Sequence, residues 1–410
     1  MGEKGAKSKA NKKLRLTAAI IIMLLLICLC LLFLSKQQHR NEQNHSIDNS
    51  VESSVEDTQI LEAADTLVFA SDYQEMNGWD KPSVTLTDIL KQIKNANIEP
   101  TNVIYCGDYT NDSVLHDYQL KPDDSIKEIR DVVAVECSNV LQEDMIFVQG
   151  NHDQLTEAIS TSGLHEYDNY LVYVLNTQYD FPWKQGRDTV FKDRVVAASE
   201  TMKICFDELV ARGETRPIII AGHVPLHFTA RTSSRHSTGD NMYASYIFDA
   251  VNEAGKSLDI VYLFGHNHSK GWDCYLGGSS VFKEPGEEII IPDAGENTSS
   301  TDEFTSNVLT FTYMNAGYTG YYMNCGPDEL NSGLLESYIA ADETLTITTC
   351  ELMPDELKFS RFSTEGLHPL SWDGEGDPYK GGIDAGLIGD EHYSSQKDST
   401  VHIVRKHNKY

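Results

Sequence analysis

Basic residues are scarce in this chain: 33 Lys and Arg stand against 62 Asp and Glu across 410 residues, a formal net charge of −29. So acidic a surface repels phosphate backbones at long range, which argues against a nucleic-acid-binding module. Paired cysteines are lacking too. Cys28 and Cys30 lie inside one apolar run, while Cys106, Cys137, Cys205, Cys274, Cys325 and Cys350 are scattered singly. That spacing shows neither a zinc ribbon nor a disulfide scaffold. There is no His-Glu-x-x-His helix, which removes the zinc-protease reading, and no internal repeat is present.

One long apolar run is present, close to the N-terminus. Residues 16–34 contain Thr17 as their only polar side chain. As a helix these 19 residues would span about 28 Å, close to the thickness of the hydrocarbon layer. Lys4, Lys7, Lys9, Lys12, Lys13 and Arg15 precede the run, so the positive-inside rule keeps residues 1–15 in the cytoplasm and sends the remainder out. The sequence after Ser35 offers no small-x-small cleavage site, which favours an uncleaved signal anchor over a removed signal peptide. A lipoprotein would need a small residue before Cys28 or Cys30, where Ile27 and Leu29 stand. All three readings place the bulk of the protein outside the cytoplasm; the favoured anchor makes it single-pass, with the lipid bilayer as partner through residues 16–34.

Residues 35–64 are rich in Asn, Gln, Ser and Glu and read as a flexible stalk. From residue 65 apolar runs alternate with helical patterns at 83–95, 124–140, 191–212 and 242–253, which predicts an α/β fold. After Gly271 the pattern changes to strands and turns, with strands expected at 288–292, 307–314, 335–340 and 344–351, as a second sheet would require. The expected domain is 65–365. Residues 366–410 read as a loosely packed tail.

Five short clusters stand out within that domain: Ser71-Asp72-Tyr73-Gln74, Gly107-Asp108, Gly150-Asn151-His152-Asp153, Gly222-His223 and Gly265-His266-Asn267-His268. Each follows an apolar strand-like run, at 66–70, 102–106, 144–149, 217–221 and 259–264. Strand ends are where α/β folds collect functional groups. Gly-Asp and Gly-His alone are ordinary turn dipeptides; Gly-Asn-His-Asp and Gly-His-Asn-His are rare, and five such clusters in order are joint evidence. Their carboxylate, amide and imidazole donors exceed one tetrahedral shell and suit two divalent metals.

In these motifs the chain resembles the calcineurin-like metallophosphoesterases, over about residues 66–352. The resemblance implies a β-sandwich flanked by helices, with two metals at one edge. It implies one divalent ion (Mn, Fe, Zn or similar) held by Asp72, Gln74, Asp108 and His268. The other would be held by Asp108, Asn151, His223 and His266, so that Asp108 bridges. Two cations about 3.5–4 Å apart polarise a phosphoryl group and generate hydroxide at neutral pH. His152, beside a ligand but not itself one, would protonate or stabilise the leaving oxygen.

The chain departs from the family pattern twice. Gln74 stands where the family usually has His, giving a neutral oxygen donor. Asn111 stands where some relatives carry an Asp that orients the catalytic His and purple acid phosphatases carry a metal-binding Tyr. The motif is therefore not that of a purple acid phosphatase, and Asp112 and Asp153 are the candidates to orient His152. Two segments could recognise substrate. Residues 227–242 hold Arg231, Arg235 and His236, suited to a second anion or simply a solvated loop. Residues 179–187 hold Phe181, Pro182 and Trp183, suited to a cleft wall or to packing. The expected function is an outward-facing phosphoesterase for a small phosphorylated monoester or diester. The alternative is a catalytically weak, metal-stabilised surface or binding protein of the same fold, which Gln74 and Asn111 keep open.

Overall fold

The computed structural model describes residues 63–74, 82–110, 121–182, 189–227, 243–266, 281–292, 304–320, 345–370 and 397–407. By its internal contacts the chain divides into Met1–Ile60 and Leu61–Tyr410, and the description concerns the second unit. Among the described residues no helix is long and apolar enough to cross a membrane; the run at 16–34 and the strand expected at 335–340 lie outside them.

Sixteen strands and four helices are described. The strands are β1 (Asp65–Ala70), β2 (Asn102–Tyr105), β3 (Ile146–Phe147), β4 (Gly163–Glu166), β5 (Leu171–Val174), β6 (Ile218–Ala221), β7 (Ile260–Phe264) and β8 (Phe282–Lys283). They continue with β9 (Glu288–Pro292), β10 (Phe304–Val308), β11 (Thr312–Asn315), β12 (Gly317–Tyr318), β13 (Thr346–Leu352), β14 (Glu356–Ser363), β15 (Gly366–Leu367) and β16 (Thr400–Val404). The helices are α1 (Pro82–Asn95), α2 (Pro122–Glu136), α3 (Thr189–Ala211) and α4 (Ala244–Ala254).

Two large sheets form a sandwich. The first runs β15-β14-β13-β1-β2-β3, with β12 beside β13 and β16 beside β14; the second runs β4-β5-β6-β7-β11-β8. Strands β1, β2 and β3 are parallel, as are β5, β6, β7 and β11. Parallel strands covered on both faces read as unbroken apolar runs, and here alternate residues face opposite layers. Leu67, Phe69, Ile104 and Cys106 meet Ile219, Ala221, Val261 and Leu263 between the sheets. Val68, Ala70, Val103 and Tyr105 face outward onto Leu86, Ile89, Leu90 and Ile93 of α1 and Ile126, Ile129 and Val133 of α2. Those helical positions recur at three- and four-residue steps, the stripe an amphipathic helix needs. Ile218, Ile220, Ile260 and Tyr262 do the same toward α3 and α4. Each such side chain contributes about 1.5–3 kcal/mol by leaving water. Cys106, Cys137, Cys205 and Cys350 are free thiols, and Cys106 and Cys350 fill the core between the sheets.

The expected α/β sandwich is present, with three differences. The C-terminal strands do not make a second sheet by themselves: β13 pairs with β1 and β11 with β7, so they extend both sheets. The single strand expected at 307–314 is two, β10 and β11, in different sheets. Leu309 N–H still donates to Glu287 O in register with β9, and the break comes at Thr310, whose N–H turns to Asn252 Oδ1. Part of the expected loose tail is packed: β16 pairs with five residues of β14, and Arg405 beyond it is buried. Residues 371–396 lie outside the description.

Candidate metal centre

Register places the motif loops side by side. Ala70 pairs with Tyr105 and Tyr105 with Phe147, so the chain leaves three adjacent parallel strands at one edge, carrying Asp72, Asp108 and Asn151. In the second sheet Ala221 pairs with Leu263, bringing His223 and His266 to that edge. Carboxylates and amide thus come from one sheet and imidazoles from the other.

The backbone there is unusual. Asp72 (φ 52°), Gln74 (43°), Asp108 (57°) and His266 (67°) are all left-handed, and Asn97 is the one other such non-glycine residue among those described. Each costs of order 1–3 kcal/mol and persists where surroundings over-determine it. Asp72 N–H donates to Gly107 O (2.9 Å), Gln74 N–H to Asp108 O (3.0 Å) and His266 N–H to Asp72 Oδ2 (3.0 Å). Two glycines permit this closeness. A Cβ at Gly150 would strike the Asp108 carboxylate, and one at Gly265 would strike Ser71 Oγ and the Asp72 carboxylate.

Ligand atoms of Asp108, His223 and His266 lie within 4.8 Å of one another, all buried. Asn151 Oδ1 is 2.5 Å from His266 Nδ1 and 3.0 Å from His223 Nε2, and His223 Nε2 is 3.2 Å from Asp108 Oδ2. His223 Nδ1 sits 2.7 Å from Cys106 O. A carbonyl only accepts, so Nδ1 carries a proton and Nε2 of a neutral ring directs its lone pair at the amide and carboxylate oxygens. Three electron-rich atoms meeting in a buried spot repel unless a positive charge stands among them. Burial works against charging His223, yet Asp108 outweighs it and pushes the imidazole up to about 9. Burial likewise works against ionising Asp108, but His223 and His152 together hold it below the usual carboxylate range. A divalent cation supplies the same compensation and displaces that proton, so the donor set fits a metal.

Asp72 and Gln74 are buried beside this cluster. His268, Arg231, Arg235, His236, Trp183, Asn111 and Asp112 lie outside the described residues. His152 stands at the rim: its backbone N–H donates to Asp108 Oδ1 (2.9 Å), and its ring Nε2 is 3.9 Å from Asp108 Oδ2. Its side chain is 11% exposed against 1% for Asp108, so it faces outward further than that carboxylate does. Phe181 belongs to the α3/α4 core, and His227 is buried with its Nδ1 2.7 Å from the Tyr313 hydroxyl.

Asp153 is not free to orient His152. Its Oδ2 accepts Asp108 N–H (2.7 Å) and Gly150 N–H (2.8 Å), and its Oδ1 accepts Tyr109 N–H (2.8 Å). Burial, with the charge of Asp108, raises its pKa. Its place in Gly-Asn-His-Asp was the available signal; which groups it would bond was not in the sequence.

A family model for calcineurin-like phosphoesterases matches residues 65–270, half of the chain. No protein of curated function matches it in sequence. Among solved structures, a dimetal phosphatase from Danio rerio is similar at 10% identity and TM-score 0.40, covering 76% of this chain and 99% of its own. A purple acid phosphatase from yellow lupin (Lupinus luteus) seeds is similar at 10% identity and TM-score 0.42, covering 83% of this chain and 54% of its own. A conserved Streptococcus pneumoniae protein described as a predicted phosphoesterase gives 9% identity and TM-score 0.27, with coverage of 74% and 93%.

Proposed function

The chain belongs to the calcineurin-like phosphoesterase family, metal-dependent hydrolases of phosphoric esters that use two divalent ions, and from that premise we propose how its own residues divide the work. One ion would be held by Asp108, Asn151, His223 and His266; the other by Asp72, Gln74, Asp108 and His268. The bound ions supply Lewis acidity toward the phosphoryl oxygens and a hydroxide at neutral pH. Asp108 belongs to both sets and would be their shared ligand. The Cys106 carbonyl keeps the His223 tautomer in which Nε2 is the donor. His152, outside the donor cluster and at its rim, delivers a proton to the leaving oxygen.

The substrate is a small phosphorylated molecule, a phosphomonoester or phosphodiester. The acidic surface disfavours polyanions, whereas at the site the cations dominate the local field. Arg231 and Arg235 are the proposed contacts to a second anionic group. We also propose that residues 16–34 anchor the protein in a membrane with this domain on the extracytoplasmic side, supported by the basic flank before the apolar run.

The observation that carries the reading is the buried meeting of His223 Nε2 with the Asn151 and Asp108 oxygens. Full-length protein in detergent should contain about two divalent ions, lose hydrolysis of phosphomonoesters and diesters on chelation, and regain it with Mn²⁺. Undiminished hydrolysis by protein shown to be metal-free would overturn it. Stoichiometric metal without turnover across the panel would support the metal-stabilised binding protein instead.

A further inference from the structure

Two loops at the metal edge are tied by bonds running in both directions. The Asp153 carboxylate accepts N–H groups from Asp108 and Tyr109 in one loop, and from Gly150 in its own. In return the Asp108 carboxylate accepts the His152 N–H. Gly107 (φ 89°) and Asp108 (φ 57°) are both left-handed, and from this turn the successive Asp108 and Tyr109 N–H groups converge on a single anion. The anion here is the chain's own. A neutral amide in its place would turn an NH₂ group toward one of the three donors.

We propose that Asp153 is a positioning residue: by gathering these three N–H groups it holds Asp108 in its left-handed conformation and sets its separation from Asn151, so that the metal-bridging carboxylate and the rim His152 keep one geometry. Both oxygens of Asp153 are engaged with the backbone of the two site loops, so its effect passes through Asp108 and Gly150. The Gly150 approach adds a second constraint, because a Cβ there would displace the Asp108 carboxylate. This inference rests on the assignment of Asp108, Asn151 and His223 as metal ligands.

The test is Mn²⁺ binding by calorimetry on full-length protein in detergent, with thermal unfolding and turnover at saturating Mn²⁺ measured on the same samples. Asp153→Asn should weaken Mn²⁺ binding by about 10–100-fold, the scale of losing support to a ligand, and lower turnover with the substrate KM little changed. Asp153→Glu keeps the charge but sets it one methylene further out, and should fall between Asn and wild type. A folded Asn variant with wild-type Mn²⁺ affinity would overturn the inference, whatever its melting temperature. Should the Asn variant not fold, the Glu variant decides, and wild-type affinity there overturns it equally. His223→Ala run in parallel separates the two claims. If it binds Mn²⁺ like wild type, the ligand assignment has failed; if it loses Mn²⁺ while both Asp153 variants retain it, only the positioning role has.

Discussion

The two ends of the sandwich treat charge in opposite ways. At the carboxyl ends of β1, β2, β6 and β7, Asp72, Asp108, His223 and His266 are crowded together, three of them on left-handed backbone. At the other end, Asp259 just before β7 meets Arg405 just after β16, with Arg405 Nε 3.4 Å from Asp259 Oδ2. There both cations are met by acceptors: Arg405 also donates to Met353 O and Thr215 O, and Lys406 to Leu258 O and Thr310 O. One end is a closed clasp between the sheets. The other needs a cation to reach the same balance.

The largest effect expected from this contrast is at the crowded end. Asp108→Ala should remove most bound metal and bring hydrolysis to background, whereas His152→Ala should lower turnover about 10²–10⁴-fold with metal content intact. Metal analysis alongside initial rates checks both. Loss of metal in the His152 variant would place that ring among the ligands.

At the clasp, Asp259→Ala should destabilise the fold by about 3–5 kcal/mol, because Arg405 is left buried without its counter-charge. Urea unfolding reads the loss, and Mn²⁺ affinity of the folded variant should stay close to wild type. A parallel fall in affinity would show that the clasp also sets the sheet alignment at the metal edge, and the two ends would no longer be separable.

The smallest effect concerns His227. Burial first, and the nearby Lys283 charge second, push its pKa down to about 3. The unfolded chain therefore binds a proton that the folded protein refuses between about pH 6.5 and pH 3, so stability falls as pH drops through that window. The slope is about 1.4 kcal/mol per pH unit at most. His227→Gln, whose side-chain amide can bond the Tyr313 hydroxyl, should flatten the urea-midpoint profile between pH 6.5 and 5. An unchanged slope would assign the titration to another group.

The strands that carry the motifs were legible because β1, β2, β6 and β7 are covered on both faces, so burial leaves a continuous apolar run in the sequence. Edge elements were not. β4 is partly exposed and polar, and β16 has no buried residue and carries the apolar Val404 on its exposed face, so neither leaves a strong periodic trace.

The residue types and their order determined the candidate donors, since imidazole, amide and carboxylate chemistry belongs to the side chain wherever it stands. The apolar pattern determined the layered α/β class, because burial on two faces leaves only apolar positions. Tertiary structure alone decided that the donors come from two different sheets, that Asp153 engages backbone N–H groups instead of the His152 ring, and that the C-terminal segment closes the opposite end. Those outcomes depend on contacts between residues far apart in the chain, such as Asp108 with Asp153 across 45 positions and Asp259 with Arg405 across 146. Local propensity reaches only a few residues, so it carries no information about which of the distant partners will meet.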